Sequence, residues 1–200
     1  MRRARWLTLL PLLLLESACS TTRVSLSYDA AQVTAPATAR PLISVGTFAD
    51  QRDIDPHWLG TIRGLVGEPL KMLELQDTAS EMMSRAFREA LAARGLLVAG
   101  ESGRYRLTGT ITKFDCSQLM RREAYAEITV TITDTETGKV VLDQPYHHSI
   151  VTGEGFTFDS GIFASPEDLK AVAARVLRTV IDDVLDSNAF AEIVSGARRS

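Results

Sequence analysis

The chain has 200 residues, 45% of them apolar, with 22 basic and 25 acidic side chains and a formal charge of −3. That is apolar material enough for one domain with its own core. The acidic excess excludes the electrostatic footprint of a nucleic-acid binder and disfavours non-specific adhesion to anionic lipid.

The N-terminus is the most informative stretch. Arg2, Arg3 and Arg5 precede an apolar run from Trp6 to Leu15, followed by Glu16-Ser17-Ala18-Cys19. Basic residues, a short apolar core and small residues describe a secretory signal peptide. The core falls well short of the ~20 residues that a spanning helix needs. A cysteine just after it, followed by Ser20-Thr21-Thr22, resembles the bacterial lipoprotein export signal. The resemblance implies that Cys19 becomes the diacylated N-terminus, and Ser20 after it resembles lipoproteins sent to the outer membrane. Glu16 stands where that signal carries an aliphatic residue. The alternative is ordinary cleavage after Ser20, releasing a soluble periplasmic protein. Loss of residues 1–18 removes Arg2, Arg3, Arg5 and Glu16, taking the charge from −3 to −5. If Cys19 is acylated, Cys116 is the one remaining thiol and no internal disulfide can form.

Residues 19–40 read as a lipidated N-terminus and tether, in which alternating Val24, Leu26 and Tyr28 would also suit a short edge strand. The domain is expected over 41–200. Leu42, Ile43, Val45 and Phe48 make a first strand ending at Asp50-Gln51-Arg52. Residues 53–76 are long for a connection and rich in large apolar side chains, which predicts a hairpin or paired short strands around Gly64–Gly67. Thr78 and Glu81 spell a capping box. Met83, Phe87, Ala90 and Leu91 share a face and Gly95 stops the turn, so a helix is predicted over 79–94.

Tyr105, Leu107 and Ile111 alternate with polar residues. Ala124, Ala126, Ile128, Val130 and Ile132 do so more clearly, with Tyr125, Glu127, Thr129, Thr131 and Thr133 opposite them. A turn at Thr137-Gly138 returns the chain from Val140 to about Val151. Ser165-Pro166-Glu167-Asp168 opens a long helix, with serine as the cap and a stripe from Leu169 to Leu185. Arg175 and Arg178 are expected to face water. A short helix over Ala189 to Ser195 ends the chain. The expected fold is α+β: a four-stranded, mostly antiparallel sheet with two helices packed on one face, in β-α-β-β-β-α order.

Ser44–Arg52 (SVGTFADQR), Thr78–Val98 (TASEMMSRAFREALAARGLLV), Gly153–Phe158 and Ser187–Arg198 together resemble the YajG-like bacterial lipoproteins. The resemblance implies an outer-membrane lipoprotein with a periplasmic α+β domain, and no known reaction. The element order also resembles auxiliary lipoproteins of envelope lipid-transport and lipopolysaccharide-assembly systems, a likeness of architecture that transfers no function.

Candidate sites are few. Asp50 and Arg52 should cap a strand end and pair with each other or with Arg63. Asp53, Asp55 and His57 could offer metal ligands, although Asp-rich turns are common. His147 and His148 are adjacent in a strand, so they point to opposite faces. Cys116 reads as a small, partly buried side chain at a strand end, and Asp182-Asp183 as a solvated helix face. No nucleophile elbow, zinc helix or phosphate loop is present in the sequence. No enzyme, metal or cofactor is therefore expected. The apolar stretches 58–75 and 156–163 are the better candidates, with Trp58, Leu59, Phe156 and Phe158 as residues for a protein or lipid partner. The leading reading is a non-enzymatic binding or assembly lipoprotein of the cell envelope, held on the membrane through Cys19. The alternative is an auxiliary lipid-binding subunit of an envelope lipid-transport system.

Overall fold

A computed structural model describes residues 20–31, 33, 35, 39–153 and 164–196. The strands are β1 (Ser20–Val24), β2 (Ile43–Asp50), β3 (Trp58–Arg63), β4 (Pro69–Leu75), β5 (Tyr105–Gln118), β6 (Arg122–Asp134) and β7 (Val140–Thr152). The helices are α1 (Ala79–Ala93), α2 (Pro166–Leu185) and α3 (Asn188–Gly196).

The α+β class and the short terminal helix are as expected, but the sheet is seven-stranded and mixed, not four-stranded. Its order is β1-β4-β3-β5-β6-β7, with β2 also paired to β5. The correction has a physical reason. Three pairings, β1–β4, β2–β5 and β3–β5, are parallel, and parallel neighbours are joined by long crossovers that leave no local turn signal.

The expected hairpin is present. β3 and β4 pair antiparallel through a turn in which Gly64 N–H donates to Glu68 O at 2.8 Å. Gly67 holds a φ of +91° there, a conformation that glycine adopts without a steric cost. β3 meets β5 at a point that only glycine fits, because a Cβ at Gly60 would collide with the Cys116 carbonyl oxygen.

β5 is longer than its first alternating run. A bulge between Ile111 and Lys113 switches the buried set from Tyr105, Leu107 and Ile111 to Phe114, Cys116 and Gln118. β6 keeps strict alternation, burying Ala124, Ala126, Ile128, Val130 and Ile132. The opposite face of the sheet carries half-buried Thr108, Thr110, Thr129, Thr131 and Thr133.

Both long helices cover the apolar face. Phe48 of β2 stacks on Phe87 of α1 with ring centroids 5.0 Å apart. On α1 the capping box forms as predicted, Thr78 accepting from the Glu81 N–H and Glu81 accepting from the Thr78 N–H. On α2, Ser165 occupies the N-cap position without a side-chain capping bond. The helix entry relies instead on Pro166 at its first turn and on Glu167 and Asp168 near the positive end.

An edge strand does form in the stretch 19–40, but over 20–24, ahead of Leu26 and Tyr28, which lie beyond it with no strand pairing. β1 pairs parallel with β4, and Val24, Leu26 and Tyr28 are buried. Beyond β1 the chain is bound to both helices. Arg85 donates to the Leu26 carbonyl, and Glu89 accepts from the Tyr28 N–H at 2.8 Å. The Tyr28 hydroxyl donates to Asp182 Oδ1 at 2.6 Å and accepts from Arg94 at 2.9 Å. Arg94 also pairs with Asp182 and Asp186, tying the end of α1 to α2. Burial raises the Tyr28 pKa, and its bond to Asp182 adds to that.

Candidate functional site

Arg52 looks like a site and is a structural joint. β2 leaves the β5 ladder after Asp50↔Ile111, and β3 joins it at Gly60↔Cys116. The Arg52 guanidinium fills the gap. Nε and Nη2 fork onto the two Asp50 carboxylate oxygens at 2.9 and 2.8 Å. Nη1 donates to the Phe114 and Trp58 carbonyls at 2.9 and 3.0 Å, and Nη2 to the Pro56 carbonyl at 3.2 Å. The predicted pairing of Asp50 with Arg52 is therefore observed. Arg63 is elsewhere, on the hairpin, donating to the Gly67 carbonyl.

Asp55, His57, His148 and Asp183 are also engaged locally, and Asp53 is exposed. Asp55 accepts from the His57 N–H, and His57 Nδ1 lies 3.2 Å from the Leu75 carbonyl. His147 and His148 point to opposite sides of the sheet, as strand geometry requires. His148 pairs with Asp183 at 3.1 Å. Asp182 belongs to the Tyr28–Arg94 network. Arg175 is exposed, whereas Arg178 is half-buried and pairs with Asp182 and Asp29. Among the described residues no group of three His, Cys, Asp or Glu side chains converges to hold a metal, and no helix is long and apolar enough to cross a membrane.

Cys116 is fully buried, and burial pushes its thiol pKa far up, with Asp115 adding to the shift. A thiol kept protonated and covered is a poor nucleophile. Cys116 is expected to resist a water-soluble disulfide reagent in the native state and to react only in denaturant. Rapid native-state labelling would contradict this burial.

The expected partner residues divide. Leu59 is fully buried beneath the sheet, and Trp58 is half-buried at the start of β3. Phe156 and Phe158 lie outside the described residues, as does Cys19. Exposed apolar side chains lie further along the same 58–75 stretch. In the β3–β4 turn, Leu65 is 67% and Val66 91% exposed.

Strand direction gathers other apolar side chains at that end. β3 runs parallel to β5, with Ile62 beside Gln118, so the hairpin turn lies next to the β5–β6 turn. That turn exposes Leu119 and Met120, and Val151 is exposed at the end of β7 beside it. A groove of about 550 Å³ between the turns is lined by Arg63, Ser117, Leu119, Met120, Arg121 and Glu123. A second depression, about 450 Å³, lies at the other end of the sheet between Tyr105, the start of β7 and α3.

Ser20 pairs with Lys71, near the start of β4. The N-terminal end of β1 thus lies at the same end of the sheet as Leu65, Val66, Leu119 and Met120. Sequence reading missed this because it depends on the direction of a parallel pairing. The signal that could have found it is the pair Leu65-Val66 itself, two large apolar residues at the turn of a predicted hairpin, where polar residues are usual.

No protein-family model and no curated protein sequence matches the chain. Solved structures do resemble it. A protein of Xanthomonas campestris described by the family model DUF330 superposes with a TM-score of 0.62 at 15% identity, over 89% of this chain and 99% of that one. An uncharacterised protein superposes with a TM-score of 0.54 at 11% identity, over 88% and 99% of the two chains. A candidate lipoprotein from Caulobacter crescentus gives a TM-score of 0.44 at 16% identity, over 58% and 83%. The first two likenesses establish a shared fold.

Proposed function

We propose that this chain is a YajG-like, non-enzymatic lipoprotein of the cell envelope. It is anchored to the periplasmic face of the outer membrane through acylated Cys19 and serves as a binding or assembly module. The N-terminal signal supports the anchor. The observation that carries the reading is that Ser20, the residue after Cys19, is already paired with Lys71 in the sheet. Acyl chains on Cys19 would hold the folded domain itself at the bilayer, with no free linker between them. Two or three chains on one residue, at about 0.8 kcal/mol per buried methylene, make such attachment stable. Confinement at a surface then raises the domain's effective concentration for partners on the same membrane.

Intact-mass spectrometry of the protein extracted from its native membrane tests this. The expected species begins at Cys19 and carries acyl chains. An unmodified chain beginning at Thr21 would remove the anchor and overturn the reading.

A further inference from the structure

We propose that the end of the sheet carrying Leu65, Val66, Leu119 and Met120 enters the interfacial layer of the membrane to which Cys19 is attached, so that the domain stands on that end. The inference rests on the anchored reading above and adds an orientation to it.

Strand register supplies the argument. β1 and β4 are parallel, and Ser20 lies beside Lys71. Followed backwards, β1 leads towards Cys19 in the same direction in which β4 leads back through Pro69 to the hairpin turn. Lys71 to Pro69 is about 7 Å at strand rise, and the turn projects further. Along the strand axis Leu65 and Val66 therefore lead Ser20 by about 10 Å. An anchor at the bilayer surface would carry this tip to about 5–10 Å depth, where interfacial apolar groups reside.

The chemistry of the end agrees. Its two turns expose apolar pairs, Leu65-Val66 and Leu119-Met120, and side chains so exposed gain by leaving water. Arg63 and Arg121 are exposed beside them, and their long stems suit a charged group held at headgroup level while neighbouring apolar groups go deeper. Within the hairpin turn, Arg63 donates to the Gly67 carbonyl and the Gly64 N–H to the Glu68 carbonyl. Backbone groups already bonded in this way cost less to move out of water.

Spin labels at Val66→Cys and Met120→Cys test the proposal, with Val140→Cys at the opposite end of the sheet as reference. All three positions are exposed, so the fold should tolerate them. The acylated chain is reconstituted in phosphatidylethanolamine–phosphatidylglycerol vesicles. Accessibility is then measured to oxygen, which concentrates in lipid, and to a nickel chelate, which stays in water. The expected result is a several-fold rise in the oxygen-to-nickel ratio at 66 and 120 on reconstitution, and none at 140. An acylated chain whose 66 and 120 labels keep their aqueous ratio overturns the proposal alone. Labels shielded from both reagents would instead indicate contact with a second copy of the chain on this end, and also overturn it. A chain whose mass shows no acylation overturns the anchored reading and this proposal with it.

Discussion

Replacing Arg52 with methionine is expected to destabilise the domain by about 3–5 kcal/mol, the usual loss when one member of a buried ion pair is removed. The side chain of Arg52 is 3% exposed and that of Asp50 13%. Methionine would leave the Asp50 carboxylate without its fork, and the Phe114, Trp58 and Pro56 carbonyls without their donor. Lysine should recover only part of the loss, because a single ammonium cannot reproduce the planar fork. Urea unfolding of the three proteins measures the order Arg, Lys, Met. Equal midpoints would show that the joint is dispensable.

The same pair predicts a pH dependence. Burial pulls the Asp50 pKa up, but hydrogen bonds from the Arg52 side chain and N–H, together with its charge, hold it below the ordinary carboxylate value. A depressed carboxylate contributes stability that is full above its unfolded pKa, about 3.9. That contribution is lost as pH falls through the lower folded value. The stability gap between wild type and Asp50→Asn should therefore be widest near neutrality and shrink below about pH 4. A gap constant from pH 7 to pH 2 would contradict the assignment.

The second large effect concerns residues 20–31. A chain lacking them should lose about 5 kcal/mol or more, since Val24, Leu26 and Tyr28 are buried and each such side chain contributes about 1.5–3 kcal/mol. That is a large share of the 5–15 kcal/mol typical of a whole domain. The deletion also opens the outer edge of β4, a template for pairing with another chain. The truncated protein is expected to melt at lower temperature and to self-associate, which calorimetry and light scattering would show. A truncated domain that stays monomeric with an unchanged melting temperature would mean that this stretch is a tether after all.

These two regions mark where sequence reading stops. Local signals were legible. The Thr78–Glu81 box, the Gly64–Gly67 turn and the alternation of Ala124 to Ile132 each show in a few adjacent residues and each formed. Non-local pairing was not legible. β1 is five residues, Ser-Thr-Thr-Arg-Val, and its strand character depends on a partner about fifty positions away. β5 shows only its first alternation in sequence, because the bulge after Ile111 reverses which residues are buried and one strand presents two alternations. Arg52 was correctly paired with Asp50, but its bond to Phe114 fills a gap that exists only because β2 and β3 share one edge of β5. For the candidate partner residues, composition identified the apolar stretch 58–75. It could not tell that Leu59 faces the core while Leu65 and Val66 stand at the turn.

The parallel pairing of β1 with β4 has a mechanical consequence. A pull on Ser20 along the strand axis loads all five residue pairs, Ser20↔Lys71 to Val24↔Leu75, together in shear. Peeling would break them one at a time. Behind them, the Gln76 N–H bond to Val24 O and the Arg85 bond to Leu26 O brace the same segment. Under tension the relevant quantity is the rate at which such a clasp yields, not the equilibrium stability of the domain. Drawn from its N-terminus in this direction, the chain should hold its fold until the clasp fails as a unit.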